Sequence, residues 1–460
     1  MQFPHTARRT ARNRPDLPPT AALPAAIQTV ACRVRPLEYL EWCRKRLGSR
    51  FTVYPVDMVP LVFLTDPQDI RAVVTAPPDV LHAGEGANVT APLFGEDSFI
   101  LRDEDDYLSG RTAITPAFHR RVVDEHAEMI KDLADREVSS WPLDIPVPVH
   151  PRLRVLALTA MLRMVFDQED PTVDLLRDAL LAMLSVTASL VLQEPRLNRL
   201  PGWRATWKRF IQDRDEVDRL IASLIARRRA STGTRRDMLE MLLAARRPDG
   251  SSMSDKELRD NLVSVITAGH ETTASSLAWA FQLIAHNPTP QDRLIDEIDR
   301  GNSDEYLTAT VSEVLRHRPV FLFTVPRAIA QPFEINGWAY HPPAHLLGCT
   351  YLMHHDPALF EDPHEFRPER FLEPPTAKWT WLPWGGGQKT CPGRHLAVLE
   401  MHTVLRATLS KRCILPAGRA IERAQWRSVI VTPHAGSRVV LRRLRAGNGR
   451  PRSWLSSPLF

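Results

Sequence analysis

One cysteine stands in a glycine-rich turn near the end of the sequence, in the run Trp384-Gly385-Gly386-Gly387-Gln388-Lys389-Thr390-Cys391-Pro392-Gly393. Successive glycines let a backbone adopt unusual dihedral angles and approach a flat ligand closely. Pro392 suits the start of a helix, and the positive end of that helix would favour a thiolate at Cys391. A thiolate is a soft axial ligand for an iron centre, so Cys391 is a candidate metal ligand. The alternative is a buried cysteine beside an ordinary glycine turn.

A second candidate site lies on a long, mostly apolar run, Asp255 to Ala285, which predicts a helix buried on most sides. Its middle reads Ala268-Gly269-His270-Glu271-Thr272-Thr273, and glycine and β-branched residues each weaken a helix interior by up to about 1 kcal/mol. A gap or kink there could hold a small ligand and a water. Glu271 and Thr272 supply an acid and a hydroxyl, the parts of a proton relay. The alternative is a threonine bonded back to its own helix and a glutamate in a structural ion pair.

Further charged motifs surround these two sites. Glu313-Val314-Leu315-Arg316 places opposite charges at i,i+3 on one helix face, and such pairs are usually solvated and contribute little. Phe366-Arg367-Pro368-Glu369-Arg370-Phe371 follows it. Tyr107-Leu108-Ser109-Gly110-Arg111 precedes both sites, and Val325-Pro326-Arg327 lies between them. Each arginine is a candidate for a charge-assisted bond to a carboxylate, with an ordinary surface position as the alternative.

The segments that must position these residues are mostly helical in pattern. Apolar residues recur at helical spacing in three segments: Pro36 to Leu47, Trp203 to Arg229 and Gly393 to Leu409. Short strands are predicted within 51–65 and within 323–349, where β-branched and aromatic residues alternate with turn residues. The sequence therefore predicts one mainly α domain with a minor β region. We expect it to occupy residues 31–445, between a disordered basic, proline-rich tail at 1–30 and a C-terminal tail at 446–460.

Composition excludes several classes of protein. The 460 residues carry 59 basic and 54 acidic side chains, a net charge of +5, which does not argue for nucleic acid as a partner. Five cysteines without a CxxC pair indicate a reducing compartment, and we expect a cytoplasmic location. No apolar run reaches the length of about 20 residues needed to span a bilayer, so no transmembrane anchor is expected. His341 and His345 are separated by two prolines, which excludes a helical zinc motif.

The cysteine turn resembles the haem-binding signature of the cytochrome P450 superfamily. In that signature an aromatic residue, a glycine and a basic residue precede the cysteine at fixed distances, and a glycine follows it. Trp384 stands where Phe is usual, and Lys389 stands where Arg or His is usual. The remaining motifs resemble those of the same superfamily in the same order, over roughly residues 30 to 440. The stretches Leu81 to Gly86 and Thr380 to Pro383 look most similar to mycobacterial-type members.

This resemblance implies the cytochrome P450 fold, a single large helical domain around a buried haem b, with Cys391 as the axial ligand of the iron. It implies that Thr272 hydrogen-bonds dioxygen and that Glu271 helps to deliver protons. A buried ion triad is implied for Glu313, Arg316 and Arg370. Other residues are implied to touch the haem or its propionates: Tyr107, Arg111, Arg327, Lys389, Trp384, Gly385, Gly387 and Gly393.

The implied activity is that of a haem-thiolate monooxygenase, which inserts one atom of O2 into an apolar substrate such as a lipid, terpene, steroid or polyketide-like molecule. Alternatives are a haem-thiolate isomerase, dehydratase or peroxygenase, and a non-catalytic haem-binding protein. We expect the substrate to meet the segments 81–99, 262–268 and 320–325, with apolar bulk from Phe321, Leu322 and Phe323.

Electrons must come from a separate protein, because the chain has no GxGxxG fingerprint in a strand–helix context. A ferredoxin or flavodoxin with its reductase is implied as the partner. Four basic residues near the cysteine are expected to attract such an acidic carrier: Lys389, Arg394, Lys411 and Arg412.

Overall fold

The computed structural model describes residues 16–166, 170–187, 201–231, 237–247, 249–373 and 378–444. The helices are α1 (Ala25–Val34), α2 (Pro36–Leu47), α3 (Pro67–Val74), α4 (Ala83–Gly86), α5 (Ala91–Phe94), α6 (Glu104–Ile114), α7 (Arg120–Asp124), α8 (Ala127–Ser139), α9 (Val149–Phe166), α10 (Pro171–Thr187), α11 (Pro201–Ala230), α12 (Met238–Ala244), α13 (Asp255–His286), α14 (Pro288–Arg300), α15 (Glu305–His317), α16 (Thr350–His354) and α17 (Arg394–Leu409).

The strands are short and lie in separate small sheets. They are β1 (Arg50–Val53), β2 (Leu61–Leu64), β3 (Leu81–His82), β4 (Pro146–Pro148), β5 (Arg327–Ile329), β6 (Phe333–Ile335), β7 (Trp338–Tyr340), β8 (His345–Gly348), β9 (Arg412–Pro416), β10 (Ala424–Arg427), β11 (Ile430–Pro433) and β12 (Arg438–Arg443). One sheet has the order β1-β2-β8-β5-β3, and another has the order β4-β12-β9. The hairpins β6–β7 and β10–β11 are two-stranded. The predicted combination of a helical body with a minor sheet is confirmed.

The central helix α13 connects the two main parts of the core. Its start is fixed by a capping box, in which the Ser254 hydroxyl accepts the Glu257 N–H and the Glu257 carboxylate accepts the Ser254 N–H. Its N-terminal half packs into a cluster with α9, α10 and α11, whereas its C-terminal half packs into a second cluster with α15, α17 and the β10–β11 hairpin. The segment 267–273 contributes no side chain to either cluster. The candidate relay residues therefore lie where the two cores meet.

The N-terminal region is ordered from earlier in the chain than predicted. Leu17 and Ala21 are buried, and the Thr52 N–H donates to the Pro19 carbonyl. The buried Gln28 side chain donates to the Leu23 carbonyl and accepts the Tyr54 N–H, which ties α1 to the end of β1. The prediction of a disordered tail is thus wrong for residues 16–30, because apolar and amide side chains there pack onto the first sheet. Residues 1–15 and the predicted tail at 446–460 lie outside the described residues.

The predicted helices around 36–47, 203–229, 255–285 and 393–409 correspond to α2, α11, α13 and α17. Within the described ranges, none of the helices combines the length and the apolar character that crossing a bilayer requires.

Candidate active site

The cysteine turn needs its glycines for two separate reasons. Gly385 and Gly387 have φ of 69° and 64°, in the left-handed region where a side chain is strained. A Cβ on Gly387 would also lie 1.8 Å from the Val74 carbonyl oxygen at the end of α3, so the turn passes directly over that helix end. The turn is closed by the Cys391 N–H, which donates to the Trp384 carbonyl at 2.9 Å. Trp384 is half-buried against the core beside it.

Cys391 lies three residues before α17 and is solvent-accessible, although protein atoms surround it closely. Both facts fit a side chain at the floor of a cleft. Burial raises the pKa of the Cys391 thiol, and the Gly393 amide, Arg111 and Arg394 oppose that rise without cancelling it. The predicted effect of the helix start is therefore present, but burial outweighs it. A Cβ on Gly393 would lie 3.9 Å from Cys391 Sγ and 3.7 Å from the Phe118 ring, so glycine keeps the space beside the sulfur open.

The structure brings three predicted cationic residues together beside the turn: Arg111 on α6, Arg327 at the start of β5, and Lys389. They meet around Tyr107, whose hydroxyl donates to the Gln388 carbonyl at 2.7 Å and accepts from Arg111 Nη1 at 3.3 Å. Arg327 is only 5% exposed, and its guanidinium bonds to the Val325 carbonyl. In the part of the chain that the structure describes, no carboxylate forms a salt bridge with any of the three cations. The nearby Asp103 carboxylate opposes the fall in the pKa of Arg327 and Lys389 that burial causes, but does not cancel it. A buried cation so weakly compensated is costly, so this cluster fits an anionic group such as the two propionates of haem.

Lys389 differs from the other two cations because the protein already engages it. Its ammonium donates to the carbonyls of Ile100 and Arg102, at 3.3 and 3.1 Å, and lies 3.5 Å from the centroid of the Tyr107 ring. Burial lowers the pKa of Lys389 to about 7, with Arg327 and Arg111 adding to that effect. Two of the three ammonium N–H bonds are thus used within the protein. Lys389 therefore joins the cysteine turn to the segment before α6, and only its third N–H is left for the predicted contact with a propionate.

The relay motif sits on one open face of α13. Ala268 is exposed, although the residues of α13 on either side of this segment are almost all buried. Thr272 lies one turn later on the same face, and its hydroxyl donates to the Ala268 carbonyl at 2.8 Å. The helix continues through this segment without a break, so the predicted gap is absent from α13. A Cβ on Gly269 would lie 2.8 Å from Met161 Sδ, so this glycine serves the close approach of α9.

Glu271 points to a different side of α13 from Thr272. Its carboxylate accepts a 2.6 Å bond from Arg154 Nε on α9, and Arg427 Nε on β10 lies 2.8 Å from its other oxygen. Burial alone would raise the pKa of Glu271, but the adjacent His270 ring and the two guanidinium groups hold it well below its usual range. The arrangement is the structural ion pair that the sequence left open as an alternative. The sequence analysis did not identify either arginine. Arg154 could have been found, because a charged residue in the largely buried helix α9 indicates a buried partner of opposite charge.

Glu313, Arg316 and Arg370 lie together in one buried cluster. The Arg316 guanidinium donates to both Glu313 oxygens, at 2.7 and 2.8 Å, and to the carbonyls of His354 and Pro363. Arg370 Nε donates to Glu313 Oε1 at 3.2 Å, and the side chains of Glu313 and Arg316 are fully buried. The cluster ties α15 to the segment 354–370 that leads to the cysteine turn.

Two other expectations hold only in part. Of the three residues expected to face the substrate, Phe321 is 41% exposed, whereas Leu322 is 1% exposed and Phe323 packs against Phe63 and Trp426 in the core.

Of the four basic residues expected to attract a carrier, Arg394 and Lys411 are exposed, but the Lys389 ammonium is bonded to the carbonyls of Ile100 and Arg102. Arg412 is buried and donates to the Val138 carbonyl, so it is unavailable to a partner.

Comparison with known proteins gives one consistent result. The family model described as Cytochrome P450 matches residues 15–435. "Putative cytochrome P450 135B1" of Mycobacterium bovis is 34% identical over 93% of this chain and 92% of its own length, and "Putative cytochrome P450 137" of Mycobacterium tuberculosis is 32% identical over 87% and 84%. Two solved structures share the fold: retinoic acid bound cyanobacterial CYP120A1 (TM-score 0.81, 21% identity, 93% of this chain and 99% of that one) and a cytochrome P450DA heme domain (TM-score 0.79, 19% identity, 93% and 98%). The chain therefore belongs to the cytochrome P450 family, whose members are haem-thiolate monooxygenases with haem b ligated by a cysteine.

Proposed function

We propose that this chain inserts one oxygen atom into an apolar organic substrate of the lipid, terpene, steroid or polyketide-like class, with Cys391 as the iron ligand. The overall reaction is R–H + O2 + 2e⁻ + 2H⁺ → R–OH + H2O. Bound haem supplies the O2 and electron-transfer chemistry. The observation that carries the assignment of the ligand is the accessible Cys391 sulfur, which lies within electrostatic reach of Arg111, one of a cluster of cations that form no salt bridge with a described carboxylate.

The protein's own residues have separate tasks in this proposal. Arg327 and Arg111 hold the propionates, and Tyr107 orients Arg111 through its hydroxyl. The half-buried Trp384 keeps water from the sulfur. Ala268 leaves room on the open face of α13, where the Thr272 hydroxyl hydrogen-bonds O2 and Glu271 supplies protons. The intact pair of Glu271 and Thr272 favours a monooxygenase over an isomerase, a dehydratase or a peroxygenase, which have less use for a proton relay. A non-catalytic haem protein would have no use for it either.

The two electrons come from a ferredoxin or flavodoxin with its reductase, in the cytoplasm. Arg394 and Lys411, the two exposed members of the four basic residues expected to meet the carrier, would attract such an acidic protein. Electron transfer should therefore weaken as salt increases, and a rate of reduction that is independent of salt would contradict this part of the proposal.

The test of the iron ligand is the absorption spectrum of the dithionite-reduced protein under carbon monoxide. Wild type should show a strongly red-shifted Soret band, and Cys391→Ser should lose it. Cys32→Ser, a substitution at a half-buried cysteine on α1, is the matched control and should keep the band. An unshifted band in wild type, or a shifted band in Cys391→Ser, would overturn the assignment.

A further inference from the structure

The helix α1 turns its polar side chains inward, against the first sheet. The buried Gln28 side chain bonds to the Leu23 carbonyl and to the Tyr54 N–H. The Thr29 hydroxyl accepts the Val56 N–H at 3.0 Å, which holds the turn between β1 and β2 against the helix. These contacts fix how α1 lies on the molecule and therefore which of its faces stays open.

The open face of α1 carries a stripe of three aliphatic side chains, Ile27, Val30 and Val34. They are 50%, 59% and 54% exposed. Residues three, four and seven apart share one face of a helix, so the three side chains form one continuous patch. Met58, in the β1–β2 turn that is bonded to α1, is a further apolar residue with 48% exposure. Single exposed apolar residues are normal on a protein surface, whereas a stripe of them marks an interaction site.

The net charge of the chain is concentrated next to this stripe. Residues 1–34 contain five arginines and one acidic residue, Asp16, so they carry +4 of the net charge of +5 that all 460 residues have. Four of these arginines precede residue 15: Arg8, Arg9, Arg12 and Arg14. Fifteen residues can span up to about 50 Å, whereas a ten-residue helix such as α1 is about 15 Å long. The basic segment is therefore long enough to lie alongside the stripe.

The stripe and the basic segment together indicate what covers this face. A nucleic acid or an acidic protein would bind the arginines but leave the aliphatic stripe in water. A second copy of the chain would cover the stripe, but it would bring together two segments that each carry +4 and repel each other. An anionic lipid surface accommodates both features, because its headgroups attract arginines and its acyl boundary takes up aliphatic side chains.

We propose that α1 is an interfacial helix that attaches the protein reversibly to an anionic bilayer. Ile27, Val30 and Val34 enter the boundary between headgroups and acyl chains, and the arginines before residue 15 bind the headgroups. A short apolar stripe or a basic segment is weak alone, and the two together give attachment. The attachment is independent of the haem chemistry, and it brings the protein to the phase in which apolar molecules dissolve.

The test is sedimentation of the haem-loaded protein with vesicles of phosphatidylcholine alone, or of two parts phosphatidylcholine to one part phosphatidylglycerol. Wild type should partition onto the anionic vesicles at least about tenfold more strongly than onto the neutral ones, and added salt should weaken this binding. The stripe variant Ile27→Thr/Val30→Thr/Val34→Thr keeps β-branched side chains and should lower that partition at least about tenfold. A matched control changes three aliphatic residues of comparable exposure on other segments and should bind like wild type: Ile145→Thr/Val155→Thr/Leu175→Thr.

A second pair of variants tests the contribution of charge. Replacing the four arginines before residue 15 by glutamine should abolish the preference for anionic vesicles. The matched control loses the same charge at four exposed arginines elsewhere and should keep the preference: Arg120→Gln/Arg121→Gln/Arg204→Gln/Arg209→Gln. Equal effects in the two variants would mean that net charge alone attracts the protein, and the assignment to the basic segment would be wrong.

Three results would overturn the inference. They are equal partition of wild type onto the two kinds of vesicle, a stripe variant that binds like wild type, and a wild-type dimer without vesicles that the stripe variant loses. The last result would assign the stripe to a second copy of the chain. The reduced carbon monoxide spectrum identifies variants that fail to fold. If the triple variant is one of them, Val30→Glu at the most exposed of the three positions should lower partition onto anionic vesicles at least about tenfold.

Discussion

The buried cluster on α15 allows a prediction whose size follows from its geometry. Glu313 accepts two bonds from Arg316, one from Arg370 and one from the Arg367 N–H at 2.9 Å. Glu313→Gln removes the charge that compensates a fully buried guanidinium while leaving a side chain of nearly the same shape. Breaking a buried ion pair on one side costs about 3–5 kcal/mol, because the remaining charge has no counter-charge. We therefore expect a loss of unfolding free energy of this order.

The chain offers a matched control on its surface. Arg35 and Glu38 also form an Arg–Glu pair three residues apart, but their side chains are 66% and 55% exposed and their closest atoms are 3.5 Å apart. Exposed pairs contribute about 0.2–1 kcal/mol, so Glu38→Gln should change stability by less than about 1 kcal/mol. The two substitutions are identical in chemistry, but Glu38 is exposed and has a single arginine partner, whereas Glu313 is buried and accepts four hydrogen bonds.

The assay is guanidinium unfolding of the haem-loaded protein, followed by circular dichroism and by the Soret band, because haem loss and chain unfolding can separate in a cofactor protein. The double variant Glu313→Gln/Arg316→Met also removes the orphaned charge and should recover part of the loss. If the free energy of unfolding of Glu313→Gln lies within about 1 kcal/mol of the wild-type value, the cluster does not hold the segment 354–370 in place and the electrostatic reasoning is wrong.

Three further predictions follow from other buried groups. Burial lowers the pKa of His317 and of His354 to about 3, so each stays neutral in the folded protein while the unfolded chain, with a pKa near 6.5, takes up a proton. Each ring should therefore reduce stability below pH 6.5 by about 1.4 kcal/mol per pH unit, and the difference in unfolding free energy between wild type and His354→Gln should change by about this amount between pH 7.5 and 5.5; a difference that is independent of pH would contradict this. Burial raises the pKa of Glu400 well above its usual range, so stability should fall as pH rises above about 4.3, and Glu400→Gln should gain stability over wild type more at pH 8 than at pH 5.5 in the same assay. Lys389→Met loses two bonds to backbone carbonyls and should lower the thermal midpoint and speed haem loss, whereas Lys389→Arg should do neither; equal haem loss in both variants would refute the structural role of the ammonium.

The parts of the fold that could be predicted from the sequence are those determined by residues only a few positions apart in the chain. The apolar periodicity of α2 and α11, the apolar run of α13 and the glycines of the cysteine turn are all patterns of residues that are near each other in sequence. The ordered start of the chain was missed because Pro18 and Gln28 are held by Thr52 and Tyr54, about thirty residues later. Proline-rich composition alone does not reveal such a contact.

The candidate site could also be predicted only in part. Which residue types could bind haem was visible in the spacing around Cys391 and Arg111, but the partners of each side chain were not. Lys389 lies at the position of a propionate ligand in the motif, yet it bonds to Ile100 and Arg102, almost 290 residues away in sequence. Arg427 is likewise more than 150 residues from Glu271. Long-range contacts of this kind decide whether a charge faces a cofactor, a backbone carbonyl or another side chain.

Adjacent residues of α13 show how one helix can serve two electrostatic environments. Thr272 shares an open face with Ala268, where a hydroxyl is in reach of a small ligand, whereas Glu271 faces two guanidinium groups across the α9 and β10 side. Because a helix turns by about 100° per residue, consecutive positions necessarily face different surroundings. The contacts of Arg154 and Arg427 with Glu271 thus keep its carboxylate on the side away from Thr272, so an acid and a hydroxyl at adjacent positions of α13 lie in separate environments.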